Sequence, residues 1–215
     1  MKFNFVFLGQ SVLKYQAPLD IYHTINNIYE TKYSELKSAN KQLVGKIQNE
    51  HSLFYDGENT HKMTKNNSLP LNVLKWFEQC FKHYLDWNKT KEYQIHLTSI
   101  WVNEMKEHEY NPIHVHQGTL FTGLSSVMIL KLPKSFGVEY SAEDNPANGR
   151  LQILGSSSGQ FAHIDYQPNI KERDFFIFPY DMRHTVYPFN GPGYRRTLAG
   201  NCDVLYNPII NRGVS

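Results

Sequence analysis

After residue 91 the chain becomes a series of short apolar runs cut apart by Gly, Pro and Asn, and this limits its fold more than any other feature. Ile95, Leu97, Trp101 and Val102 suit one strand, and Pro112 to His116 a short second one. Leu120 to Leu132 is a long apolar run. Leu151 to Leu154 follows a Gly turn, and Asp174 to Phe178 precedes Pro179. His184 to Phe189 leads into the turn Asn190-Gly191-Pro192-Gly193, and Arg195 to Leu205 closes the series. Short strands at this spacing, separated by turn residues, predict a sandwich or barrel.

The first 90 residues read differently. Ile21, Ile25, Ile28, Tyr29 and Tyr33 recur at helical spacing, predicting a helix from Pro18 to about Leu36. Ser68-Leu69-Pro70 opens a second helix, with Val73, Leu74, Phe77, Phe81 and Leu85 on one face and Asn88 near its end. Residues 3–8 and 11–15 read as short strands, and the polar stretch 40–68 as loops with one short strand. The expected fold class is α+β: a β core over 92–207 that carries any site, with a helical elaboration, 1–91, packed against it. A length of 215 residues suits one domain, 1–215.

Composition excludes some partners. With 22 basic and 20 acidic residues the formal charge is only +2, which gives no electrostatic case for nucleic acid or membrane. The first residues lack a signal-peptide pattern, and no run approaches the ~20 apolar residues that span a bilayer. Cys80 and Cys202 read as reduced, semi-buried thiols. The expectation is a soluble cytoplasmic protein, in the host cell's cytoplasm if the chain is virus-encoded.

Of the ten histidines, His114 and His116 stand apart for a geometric reason. Residues i and i+2 of a strand project from the same face, so two imidazoles so placed reach one cation. A third ligand must come from another strand, and His184, in "FIFPYDMRHTVYPF", is the best placed. The competing reading is a barrel rim carrying three ordinary histidines. Arg195 lies eleven residues after His184, across a turn, where the next hairpin strand returns beside it. Arg195, Thr197, Ala199 and Asn201 then share one face. A guanidinium with a hydroxyl two residues on is a good carboxylate receptor. Arg196 should point the other way, and the plainer reading makes both arginines solvated strand residues.

Four stretches in order carry a family resemblance: "SIWVNEM" at 99–105, "YNPIHVHQGTLFTGLSSVMIL" at 110–130, "DFFIFPYDMRHTVYPF" at 174–189 and "YRRTLAGN" at 194–201. They resemble the Fe(II)/2-oxoglutarate-dependent oxygenases, more closely the small bacterial and phage-type branch related to prolyl hydroxylases. The resemblance implies a double-stranded β-helix (jelly-roll) core with N-terminal helices packed against it. It implies Fe(II) held by His114, His116 and His184, and 2-oxoglutarate held at its distal carboxylate by Arg195 and Thr197. Asn103 matches a polar residue lining the same pocket. The implied reaction consumes 2-oxoglutarate and O2 and hydroxylates an organic substrate, such as a prolyl or other side chain of a protein or peptide.

One departure matters. Most of the superfamily places Asp or Glu where this chain has His116, and the familiar triad is two His and one carboxylate. Glu139, Asp144 and Asp165 are the spare carboxylates nearest in sequence. Phe121, Leu124, Phe176 and Phe178 are expected to line the site, and the 156–173 loop, with His163, Asp165 and Tyr166, to meet substrate. Two alternatives stay open: a cupin-like three-His metalloprotein that does not use 2-oxoglutarate, and a degenerate oxygenase fold serving as a binding module.

Overall fold

The structure, a computed structural model, describes residues 9–39, 44–58, 64–141, 144, 146–156, 159, 160, 162 and 164–210. The strand expected over 3–8 and His163 lie outside these residues. In chain order the elements are β1 (Leu13–Gln16), α1 (Leu19–Lys32), β2 (Lys37–Ser38), β3 (Asn49–Tyr55), β4 (Asn66–Asn67) and α2 (Leu71–Trp87). There follow β5 (Tyr93–Met105), β6 (Asn111–His114), β7 (Gly123–Lys131), β8 (Leu151–Leu154), β9 (Asp165–Tyr166), β10 (Asp174–Pro179), β11 (Arg183–Val186) and β12 (Arg195–Tyr206).

The strands form two antiparallel sheets. The larger runs β1-β10-β7-β12-β5-β3-β2, with β4 beside β3, and the smaller runs β6-β11-β8-β9. Together they make the jelly roll that the family resemblance implies, within the sandwich-or-barrel class that the turn-punctuated strands predict.

The large sheet is covered on both faces, which explains why β7, GLSSVMILK, is buried at every interior position instead of alternating with polar residues. Alternation persists as a choice between two cores. Leu124, Met128 and Leu130 of β7, with Phe175 and Ile177 of β10, pack against Ile21, Ile25, Val73, Phe77 and Phe81 of the helices. Val127, Ile129, Phe176 and Phe178 face the small sheet and meet Leu151, Ile153 and Val186. A fully buried Leu or Phe contributes roughly 1.5–3 kcal/mol, so α2, with Val73, Phe77, Cys80, Phe81, Tyr84 and Leu85 buried, is held mainly by this packing. Asn88 ends α2 by donating its side-chain amide to the Tyr84 carbonyl at 2.8 Å.

Residues 1–91 are more than a helical elaboration. β1 pairs with β10, and β3 pairs with β5 over Asn49 to Tyr55, so this part supplies strands on both flanks of the large sheet. The strand NEHSLFY reads as loop because Glu50 and Ser52, both buried, lie among its inward residues, which inverts the usual polarity signal. Cys80 and Cys202 are free and buried, and burial raises both thiols to about 12. Among the described residues no helix is long and apolar enough to cross a membrane.

Candidate active site

His114 and His184 are opposite partners in the antiparallel pairing of β6 with β11. His116 follows two residues beyond, where its backbone N–H donates to the Tyr180 carbonyl at 3.0 Å. The spacing thus brings all three rings together. The Nε2 atoms of His114 and His116 lie 3.1 Å apart, as do those of His116 and His184. Among the described residues this is the group of three or more potential metal ligands, with candidate donor atoms all within 4.8 Å of one another.

The outer nitrogens decide what the inner ones are. Nδ1 of His114 is 2.7 Å from the Pro112 carbonyl, Nδ1 of His184 3.1 Å from the Met182 carbonyl, and Nδ1 of His116 2.9 Å from Oδ1 of Asn201. Backbone carbonyls only accept, so Nδ1 of His114 and of His184 carries the proton and Nε2 presents a lone pair; with the Asn201 oxygen facing His116, the same holds for its ring. Three lone pairs then converge at hydrogen-bonding distance with no proton between them, and a cation resolves that arrangement. Burial, then the neighbouring imidazoles, drives His116 down to about 3 and His184 well below its ordinary value. Burial also lowers His114, against an opposing bond to Pro112. Neutral imidazoles at neutral pH are the form that binds metal.

Beside the trio lies a cavity of about 460 Å³ whose wall includes Trp101, Asn103, Thr197 and Asn201. Trp101 stacks on His116, with ring centroids 5.7 Å apart. Thr197 and Asn103 are direct partners between β12 and β5, and Arg195 lies two residues before Thr197, opposite Met105. Arg195 is not part of the cavity wall. It is enclosed at 1% exposure, and its Nε and Nη2 have no partner. Burial lowers its pKa to about 10, which still leaves a cation at neutral pH. An unpaired buried cation costs several kcal/mol, a cost that an anion bound there would offset. Asn103 Oδ1 and Trp101 Nε1 are likewise buried without partners.

Several expected residues lie elsewhere. Phe121 is 86% exposed, because residues 119–122 form a loop tied down by Asp203 and not the start of a strand. The Asp203 carboxylate accepts the N–H groups of Thr119 and Leu120 and the Tyr180 hydroxyl. Leu124 faces the helices, whereas Phe178 packs its ring 4.8 Å from that of His184. None of the spare carboxylates joins the trio. Glu139 accepts backbone N–H groups of Tyr140, Ser141 and Asn148, Asp165 takes the side-chain amide of Gln152, and Asp144 is exposed. No described residue of the 156–173 loop lines the cavity; Ser52, Tyr55 and Glu58, from the polar N-terminal stretch, do. Strand alternation places Asn201 on the Arg195 face; its bond to His116 joins segments 85 residues apart and has no local sequence signal.

Comparison with known proteins agrees with this geometry. Residues 99–201 match the family model described as "Putative 2OG-Fe(II) oxygenase". A crystal structure of a Pseudomonas putida prolyl-4-hydroxylase superposes with a TM-score of 0.55 at 11% identity, covering 91% of this chain and 92% of that one. AviO1 from Streptomyces viridochromogenes Tue57 gives 0.54 at 12% identity, covering 93% and 91%. A Trichoplax adhaerens prolyl hydroxylase in complex with a hypoxia inducible factor oxygen degradation domain peptide fragment gives 0.52 at 12%, covering 96% and 87%. A comparison with curated protein sequences returns no match. The matched segment, residues 99–201, contains His114, His116, His184, Arg195 and Thr197, and it is similar to a family of oxidoreductases that use Fe(II) and 2-oxoglutarate.

Proposed function

We propose that His114, His116 and His184 hold Fe(II), that Arg195 and Thr197 with Asn103 hold the distal carboxylate of 2-oxoglutarate, and that one domain, 1–215, hydroxylates an organic substrate. The observation that carries this reading is the pairing of two unmet demands: three converging lone pairs and, on β12 of the other sheet, an enclosed guanidinium without a partner. A cation meets the first and a dicarboxylate the second. Imidazole nitrogens suit Fe(II), and guanidinium with hydroxyl suits a carboxylate.

When bound, Fe(II) supplies the oxygen chemistry that couples oxidation of 2-oxoglutarate to oxidation of substrate. The balance is 2-oxoglutarate, O2 and a C–H bond in; succinate, CO2 and a C–OH bond out. The residues of the chain bind and shield. Three neutral imidazoles leave the metal's full charge in place, one unit more than a site with a carboxylate arm. Arg195 anchors the co-substrate bidentately at its far end, and Phe178 closes the space behind His184 to water. Tyr55 and Glu58 at the cavity wall lie where substrate would enter. We take that substrate to be a protein or peptide side chain such as proline. The support is the fold shared with prolyl hydroxylases, one of them in complex with a peptide.

A three-His metalloprotein without 2-oxoglutarate, or a fold retained as a binding module, leaves the Arg195 cation without an anion. The test is turnover. Fe(II)-loaded protein given 2-oxoglutarate and O2 should form succinate, and omission of iron should stop it. Peptide mixtures should then yield products heavier by one oxygen atom. Absence of succinate from folded, iron-loaded protein would remove the enzyme reading.

A further inference from the structure

We infer that Asn201 is a positioning residue that makes His116 usable as a ligand, by selecting the ring nitrogen it presents. This rests on reading the trio as metal ligands. His114 and His184 each bond through Nδ1 to the backbone carbonyl two residues earlier in the chain, Pro112 and Met182. Their orientation is built into local backbone, and no side chain is needed. His116 lies past the end of β6 and has no such bond. Its Nδ1 instead reaches across to Oδ1 of Asn201 on β12, 85 residues away in sequence.

Asn201 is itself held. Its Oδ1 also accepts from the Ser125 hydroxyl at 3.2 Å, and its backbone carbonyl accepts from Thr98 Oγ1 at 3.1 Å. The β12–β5 register shifts between Asn201 and Cys202, beside this contact. In this arrangement one amide oxygen faces both the His116 ring and the Ser125 hydroxyl. Trp101 stacks on the same imidazole and limits its tilt.

The chemistry explains the need. A carboxylate ligand presents equivalent oxygens, but an imidazole has two unlike nitrogens, and only an acceptor behind Nδ1 leaves Nε2 free to bind. A third histidine therefore requires an acceptor, and Asn201 provides a neutral one.

The experiment compares wild type with Asn201→Ala and Asn201→Asp, using anaerobic Fe(II) titration calorimetry and the visible absorption of the Fe(II)–2-oxoglutarate complex. Loss of the acceptor should weaken Fe(II) binding 10- to 100-fold. Asp, which only accepts, should hold affinity within a few-fold of wild type. Its anionic oxygen makes His116 the stronger donor and should move the charge-transfer band to longer wavelength. Asn201→Leu, which keeps volume and removes both polar atoms, repeats the first test should the Ala variant not fold. Unchanged affinity in Ala or Leu overturns the inference, as does a folded Asp variant that binds as weakly as they do. Wild type that takes up no Fe(II) would instead remove the metal reading beneath it.

Discussion

Arg195 and Arg196 are neighbours on β12, both buried, and they have opposite fates. Arg196 faces the helices. Its guanidinium bonds Glu104 and Glu30 at 2.9 Å each and lies over the Tyr29 ring. Burial works against its charge, but the bonds to Glu30 and Glu104 outweigh it and raise its pKa. Arg195 faces the small sheet, with two nitrogens unmet and its pKa lowered. One face of the sheet thus has its buried cation paired by the chain itself, and the other does not. A buried cation that its own chain does not neutralise is the basis for proposing Arg195 as the carboxylate receptor.

Substitutions sharpen this contrast. Arg196→Met leaves Glu104 buried and unpaired, and should cost about 3–5 kcal/mol in denaturant unfolding while sparing 2-oxoglutarate affinity of the folded fraction. A loss under about 1 kcal/mol would mean the helix-facing network contributes little. Arg195→Met should do the reverse. Affinity for 2-oxoglutarate should fall about 100-fold, near 2.7 kcal/mol, with iron uptake retained and the ligand-free fold no less stable, since an unsatisfied charge is removed. Equal destabilisation by both variants would erase the distinction.

The trio gives the ligand-facing side a pH signature. Its imidazoles have folded pKa values below the ordinary 6.5, so unfolding takes up protons once pH drops under 6.5. Stability of metal-free protein should therefore be fully present above 6.5 and fall below it, toward about 3 for His116. The limit is about 1.4 kcal/mol per pH unit for each histidine. His116→Ala, followed by thermal melts at pH 5.5 and 7, should flatten that slope. The smallest effect belongs to Phe121→Ser, expected within about 0.5 kcal/mol because the ring is in solvent. A larger change would return Phe121 to the site lining.

Local periodicity made some of this visible in the sequence. Alternation aligned His114 with His116, and placed Arg195 and Thr197 on one face away from Arg196. The hairpin expected to return Arg195 beside His184 does not form: β11 pairs with β6 and β8 in the small sheet, and β12 with β5 and β7 in the large one. Helical spacing found both helices, since Val73, Phe77, Phe81 and Leu85 needed only a single apolar partner face. What stayed hidden depends on contacts between distant segments. The one short strand expected within 40–68 could not be placed, because buried polar residues of β3 such as Glu50 and Ser52 mask its alternation. Phe121 joined an apolar run although Asp203, more than 80 residues later, holds its neighbours in a loop. Burial of Arg196 depends on Glu30, 166 residues earlier. Asn201 carries a role only because one nitrogen of His116 faces it.

The central claim is tested most directly by anaerobic titration of metal-free protein with Fe(II) and then 2-oxoglutarate, with His116→Ala measured beside it. A visible charge-transfer band that appears in wild type and is lost in the variant is the predicted result. It would establish that the three-imidazole centre binds the co-substrate on its metal. A folded wild type that takes up Fe(II) yet shows no band, or a band of equal strength in the variant, would contradict it.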